Sequence, residues 1–414
     1  MPDREFDLVV LGSTGVTGRQ VLRYLADRAD SADVRWAVAG RDQARIEEGL
    51  AAIGLDVPVL VVDLLDHAPV DELARRTRVV ANLVGPYARY GQPVYEACAD
   101  AGTHQVDVCG EVDWLRDRIA QLHAVAEHSG ARIVTTAGFE ALPFDLAALM
   151  AAEVTLARWD EPLADMDVAI TVDRDPPVML PVDLVSGGTL VSGADAIRRG
   201  AHAATGDARL LDETAHDPLP FDLAPRRHPA TGAWLGPLVP SPYINPVIAH
   251  RTAALTRNGG AMCFDDSYRF RDGLVTAGLF PAVPDAIAAG WLSAAQAAGS
   301  LLTTAPEATR GLVADLMERL GPVPGQGPDD ARLEGWSWRL DGRATTVSGR
   351  TLDVVVEGEG HPGYRSTGNL VGEAALLLAE GGDDRGGIVT PAIAFGTTSI
   401  PRFESAGVTM AVSP

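Results

Sequence analysis

The 414-residue chain contains no lysine: all 34 of its basic residues are arginine. That absence excludes a P-loop lysine, a Schiff-base lysine and the Tyr-x-x-x-Lys pair of many short-chain reductases. Cysteine is almost as scarce, and Cys98, Cys109 and Cys263 are an odd number without metal-ligand spacing. Neither a disulfide framework nor a metal site is expected, and a reducing, cytoplasmic setting fits. No apolar run approaches the roughly 18 residues that a membrane span needs, and the opening MPDREFD lacks the basic, then apolar start of a signal peptide. Positive charge is also short: 34 basic against 56 acidic residues leave a net charge of −22. Such a balance opposes close approach to nucleic acid or anionic lipid, so any anionic ligand must be held by a local site.

What is present begins with FDLVVLGSTGVTG at 6–18, where a short apolar run leads directly into Gly12, Gly15 and Gly18. This is the layout of a buried strand feeding a phosphate-binding turn, with Ser13, Thr14, Val16 and Thr17 between and after the glycines. The first glycine allows a sharp bend, the second lets backbone N–H groups approach a pyrophosphate, and the third lets the next helix pack close. That helix, from about Val16 to Arg28, aims its N-terminal dipole at the phosphates. The spacing is G-x-x-G-x-x-G rather than G-x-G-x-x-G, and an ordinary strand-to-helix connection would also use these glycines. Further apolar runs, VRWAVAG, VPVLVVD, RVVANLVG, THQVDVCG and ARIVTTAG, alternate with helical stretches up to about residue 137. That rhythm predicts a parallel sheet with covering helices. In the fourth interval a helix is expected to begin near Pro93, which makes Cys98 a small core residue. From about 150 to 360 the pattern becomes α+β, with a strand at 166–175, few periodic stretches over 200–260, helices over 283–320, a loop at 321–330 and three later strand-like runs, WSWRL, ATTVSG and TLDVVVEG. A last helix is expected at about 370–379.

The second strand ends at Gly40-Arg41, where an enzyme preferring NAD would place Asp or Glu for the ribose hydroxyls. Arginine there suits the 2′-phosphate of NADP(H), and Arg45 lies one helical turn on. A solvated surface arginine is the plainer alternative. Asp42 reads as a helix N-cap. Asp63, closing VPVLVVD, is placed toward the adenine side of the cofactor, while Asn82, Gly85 and Pro86 end the fourth strand at the edge where open α/β sheets bind ligands. Tyr87 follows and offers a phenolic proton near a nicotinamide, or else packs under the loop. Glu111 and Glu140 fall just after the fifth and sixth strands, where burial makes a carboxyl a general acid; capping or solvation are the alternatives.

GSTGVTG, AGR at 39–41, NLVGPYARYGQPVYEACADAGTHQVDVCGE at 82–111 and GARIVTTAGFEALPFDL at 130–146 resemble the saccharopine dehydrogenase-like oxidoreductases, with the trans-acting enoyl reductases as the nearer branch. The likeness continues through VSGGTL, PVPGQGPDDARLEGW, HPGYRSTGNLVGEAALLLA and GGIVTPAIAFG, and so spans essentially the whole chain. It implies a Rossmann-type NADP-binding domain at 1–148, an α+β domain over 149–360 that covers the nicotinamide, and a segment 361–414 that returns to the first domain. It also implies that Gly12 to Gly18 form the cofactor turn, that Arg41 meets the 2′-phosphate, and that Asn82 to Pro86 border the nicotinamide. His361 stands where the family pattern has Asp before Pro-Gly-Tyr, and Glu140-Ala141 stand where it has Asp-Ser. The expected activity is NADPH-dependent reduction of an activated double bond, an enoyl thioester or related biosynthetic intermediate. A C=N reductase of an amino-acid-like or alkaloid substrate and a non-catalytic dinucleotide-binding scaffold are the alternatives. Expected partners are a small-molecule or carrier-bound substrate, a polyketide synthase or its carrier protein, and a second copy in a homodimer.

Overall fold

β1 (Phe6–Leu11) is apolar apart from Asp7 and buried at five of its six positions, as befits a central strand covered on both faces. Around it, strands and helices alternate: α1 (Val16–Arg28), β2 (Trp36–Gly40), α2 (Gln43–Ala52), β3 (Val59–Val61), α3 (His67–Arg76), β4 (Thr77–Asn82), α4 (Tyr87–Ala101), β5 (His104–Asp107), α5 (Val112–Ser129) and β6 (Arg132–Val134). The sheet order is β3-β2-β1-β4-β5-β6, every pair parallel, and β13 (Gly387–Val389) adds a seventh strand beside β6. The order reverses between β1 and β4, where Leu11 lies opposite Asn82. In such sheets the crevice at this reversal is the ligand site.

The computed structural model describes residues 4–28, 33–175, 186–200, 208–211, 224–237, 241–280, 282–323, 325–381 and 385–413. After α6 (Leu142–Trp159), a helix buried on most of its surface, come β7 (Leu163–Arg174), α7 (Gly187–Arg199), β8 (Arg226–Arg227), β9 (Trp234–Gly236), α8 (Ser241–Asn258) and β10 (Phe264–Val275). Then follow α9 (Asp285–Thr303), α10 (Glu307–Leu320), β11 (Trp336–Thr346), β12 (Thr351–Glu359), α11 (Thr367–Glu380), α12 (Pro391–Phe395) and β14 (Val408–Ser413). The second sheet runs β14-β12-β11-β7-β10-β9-β8 and is mixed, with β7 and β10 parallel. Leu8 and Val10 of the first sheet share one continuous core with Val168, Trp338 and Val354 of the second. None of the described helices is long and apolar enough to cross a membrane.

Several local expectations change. α4 starts at Tyr87, six residues before Pro93, because a distant carboxylate caps its first turn. WSWRL and the first three residues of ATTVSG, Ala344–Thr346, lie on a single strand, β11, paired along its length with β7 and β12, and the rest of that run forms the turn to β12. α8 was hidden by Pro246 inside it and by the lack of a clear apolar stripe. The expected return of 361–414 to the first domain is only half of the arrangement. β13 joins the first sheet, but β14 pairs with β12 in the second, so the final segment ties both together.

Candidate active site

The glycine turn follows β1 directly. Gly12 has φ +86°, a left-handed conformation that favours glycine, and its carbonyl accepts the Gly15 N–H at 3.1 Å. A Cβ on Gly18 would strike the Gly12 carbonyl oxygen and come within 2.8 Å of Ser13 Cα, so this glycine lets α1 start against the turn. A Cβ on Gly15 would meet only the Gly12 oxygen, at 3.3 Å, and otherwise points into open space. Ser13 and Val16 are buried, whereas Thr14 and Thr17 are partly exposed.

At the far end of β2, Arg41 and Arg45 are exposed, and neither guanidinium has an acidic partner among the described residues. Asp42 caps α2 by accepting the Arg45 N–H at 3.1 Å, as expected. Arg19, which the sequence did not single out, donates to the Thr14 carbonyl at 3.0 Å and adds a third guanidinium beside the turn. Asp63 is exposed and closes a turn by accepting the Leu65 N–H at 3.0 Å.

The carboxyl edge of the sheet holds the candidate chemistry. Asn82 is fully buried; its Oδ1 accepts the Val84 N–H at 3.2 Å, while its Nδ2 has no partner. Gly85 and Pro86 follow, joined by a cis peptide. Tyr87 is buried and donates its phenolic proton to the Asn82 carbonyl at 2.8 Å while accepting the Val108 N–H at 3.2 Å. Loss of hydration raises its pKa well above the usual value. Glu111 accepts the Tyr87 N–H at 2.7 Å and the Ala88 N–H at 3.1 Å, capping α4 from 24 residues away. Burial raises its pKa, and these N–H groups with Arg199 pull it back.

Glu140 differs from both. It follows a loop anchored by Thr136, whose φ of +56° is rare for a β-branched residue, and by the Thr136 hydroxyl donating to the Cys109 carbonyl at 2.6 Å. The Glu140 side chain keeps some exposure to solvent and makes no hydrogen bond to a described residue. Crowded surroundings and the nearby charge of Asp272 raise its pKa to about 8. It therefore carries a proton at neutral pH.

Residues from outside the first sheet pack over these loops. Ile244, on α8, is so close to Gly110 that a Cβ there would lie 2.7 Å from its Cδ1, and Asn245 donates to Asp272 at 2.7 Å. Over the glycine turn, Gly327 presses on Val16, Gly325 lies against Arg45, and Asp330 pairs with Arg23 at 2.5 Å. Asn245, Asp272 and this covering stretch had no local signal as site residues, since long-range packing alone brings them here.

Residues 8–134 match the profile of the saccharopine dehydrogenase NADP-binding domain. Over 428 residues, 98% of this chain and 97% of the relative, the sequence is 30% identical to a Mycobacterium tuberculosis protein named as a trans-acting enoyl reductase. The chain belongs to this family of saccharopine dehydrogenase-like oxidoreductases. A trans-acting enoyl reductase of Mycobacterium ulcerans is 29% identical over 435 residues, covering 99% of this chain and 98% of that one. Apo saccharopine dehydrogenase (L-Glu forming) from Saccharomyces cerevisiae shares the fold with a TM-score of 0.52 at 13% identity, covering 98% of this chain and 99% of that one.

Like its family, this oxidoreductase takes NADP(H) as cofactor. The residues fit it. The open space at Gly15 and the N-terminus of α1 suit a diphosphate, unpaired guanidinium groups suit the 2′-phosphate, and the orphaned Asn82 Nδ2 awaits an acceptor. All three cysteines are buried and unpaired, and burial pushes the Cys98 thiol up to about 12, which rules it out as a nucleophile at neutral pH.

Proposed function

We propose that the enzyme reduces the activated C=C bond of an α,β-unsaturated thioester, presented on a carrier protein or polyketide synthase, with Glu140 as proton donor. The relatives' names support the enoyl substrate and a partner supplied in trans, and they do not favour the imine-reducing or scaffold alternatives. Bound at the glycine turn, NADPH would supply a hydride for the β-carbon, with enolate-like negative charge developing on the thioester. The observation that carries the assignment is that Glu140 alone of the three candidate acids has a proton not already committed within the protein.

Glu140 gives that proton to the α-carbon as the hydride arrives, so the acid acts in the hydride-transfer step and the saturated thioester is completed there. Its partial exposure lets water restore the proton after each turnover. Loss of hydration, and after it the charge of Asp272, keep the equilibrium on the acid side by disfavouring a charge on Glu140. Tyr87 and Glu111 act as positioning residues, holding β4, the Val108 loop and the start of α4 in one arrangement. Ile244 and the stretch over the glycine turn exclude water, which strengthens electrostatic stabilisation of the developing charge. Arg19, Arg41 and Arg45 set the preference for NADPH over NADH. A cytoplasmic setting belongs to the same reading, supported by the unpaired cysteines.

NADPH consumption is to be followed with enoyl thioesters on a carrier protein, free enoyl thioesters, cyclic imines and keto acids. Turnover is expected with the thioesters, fastest with the carrier-bound form. Reduction of an imine with no turnover of any enoyl thioester would overturn the proposal.

A further inference from the structure

Helix α9 is inside out. Its sequence has no charged residue after Asp285, and the next one in the chain is Glu307. Toward the body of the protein it buries the polar residues Ser293, Gln296 and Thr303 along with two alanines, and a half-buried Leu292 packs against Gly236. Outward it presents Ile287, Trp291, Ala294, Ala295, Ala298 and Leu301, a single stripe at helical spacing. Ile287 is 49% exposed, Trp291 55% and Leu301 71%, and the Phe280 ring, 38% exposed, extends the patch by packing edge-on to Trp291 at 6.0 Å. A helix on a solvated surface carries the opposite pattern, so this face is built to be covered.

We infer that the exposed stripe of α9 is the interface between two copies of this chain, packed antiparallel about a two-fold axis near Ala294. The pattern is self-complementary. With Ala294 at the axis, Ile287 of one copy meets Leu301 of the other, and the bulky Trp291 meets the small Ala297–Ala298 step. The small residues between the bulky ends allow the helices to approach closely. The face has an aromatic anchor and no charge at its centre, the make-up of the core of a specific interface.

Charge decides between a second copy and a lipid surface. Each copy carries −22, and association is tolerable only through an uncharged face such as this one. A helix that lies on a membrane has a Lys- or Arg-rich polar face, whereas α9 has no basic residue at all. An acidic carrier protein likewise finds no positive residue here to pair with.

Sedimentation velocity over a range of concentrations tests this, together with crosslinking. The wild-type chain is expected to dimerise, and Ala294→Arg, which sets two like charges across the axis, is expected to raise the dissociation constant about 100-fold. Its circular dichroism and NADPH affinity should be unchanged. Ala294→Cys should form a disulfide-linked dimer on mild oxidation, and the buried native cysteines give little background. Leu312→Cys, on the exposed side of α10, should not. A monomer at every concentration, a dimer insensitive to Ala294→Arg, or flotation with phosphatidylcholine vesicles that Ala294→Arg abolishes would each overturn the inference.

Discussion

Glu140→Gln preserves the shape of the side chain and removes its transferable proton. A pKa of about 8 means that roughly nine in ten molecules hold the proton at pH 7, and that the acid form falls tenfold for each pH unit above 8. The rate of single-turnover hydride transfer, followed by loss of NADPH absorbance, is therefore expected to be flat below pH 7 and to decline through 8. Glu140→Gln should lower that rate by about 10² to 10⁴, the range for general acids, and abolish the decline while leaving NADPH affinity near normal. Stability gives a second readout. The folded protein keeps a proton that the unfolded chain releases above the ordinary value of 4.5, so Glu140 makes stability fall as pH rises from 4.5 to about 8. Glu140→Gln should remove that slope. A variant that transfers hydride at the wild-type rate, or that keeps the decline near pH 8, would refute Glu140 as the acid.

Arg41→Ala should erase most of the preference for NADPH over NADH, about 10- to 150-fold for a charge-assisted contact of about 1.5 to 3 kcal/mol; equal dissociation constants for the two cofactors in the unmodified enzyme would contradict this. The two turn glycines should separate by calorimetry and titration. Gly15→Val should fold but lose detectable NADPH binding, whereas Gly18→Ala should destabilise the protein by about 1 to 3 kcal/mol or more, since backbone blocks its Cβ. Tyr87→Phe leaves the Asn82 carbonyl and Val108 N–H unsatisfied and should cost about 1 to 3 kcal/mol of stability with little change in hydride transfer. A 10²-fold rate loss without a stability loss would return the proton to Tyr87.

The parts of this protein that depend on neighbours in the chain were legible in the sequence. Strand–turn–helix alternation, the roles of Gly12 and Gly18 and the Asp42 cap follow from backbone geometry within a few residues, so spacing alone reveals them. The absence of lysine and the −22 charge set limits on the chemistry and the partners before any fold was known. Tertiary structure decided what depends on distant partners. Glu111 and Glu140 look alike as carboxyls after adjacent strands, yet one is committed to the first turn of α4 and the other faces Asp272. The start of α4 at Tyr87 rests on the same long-range cap, and α8 gains its place from packing that its own periodicity does not announce. Helix α9 shows the limit most clearly: its composition foretells a helix, but which of its faces meets solvent is a property of the surface it packs on, and only the folded chain turns its apolar side outward.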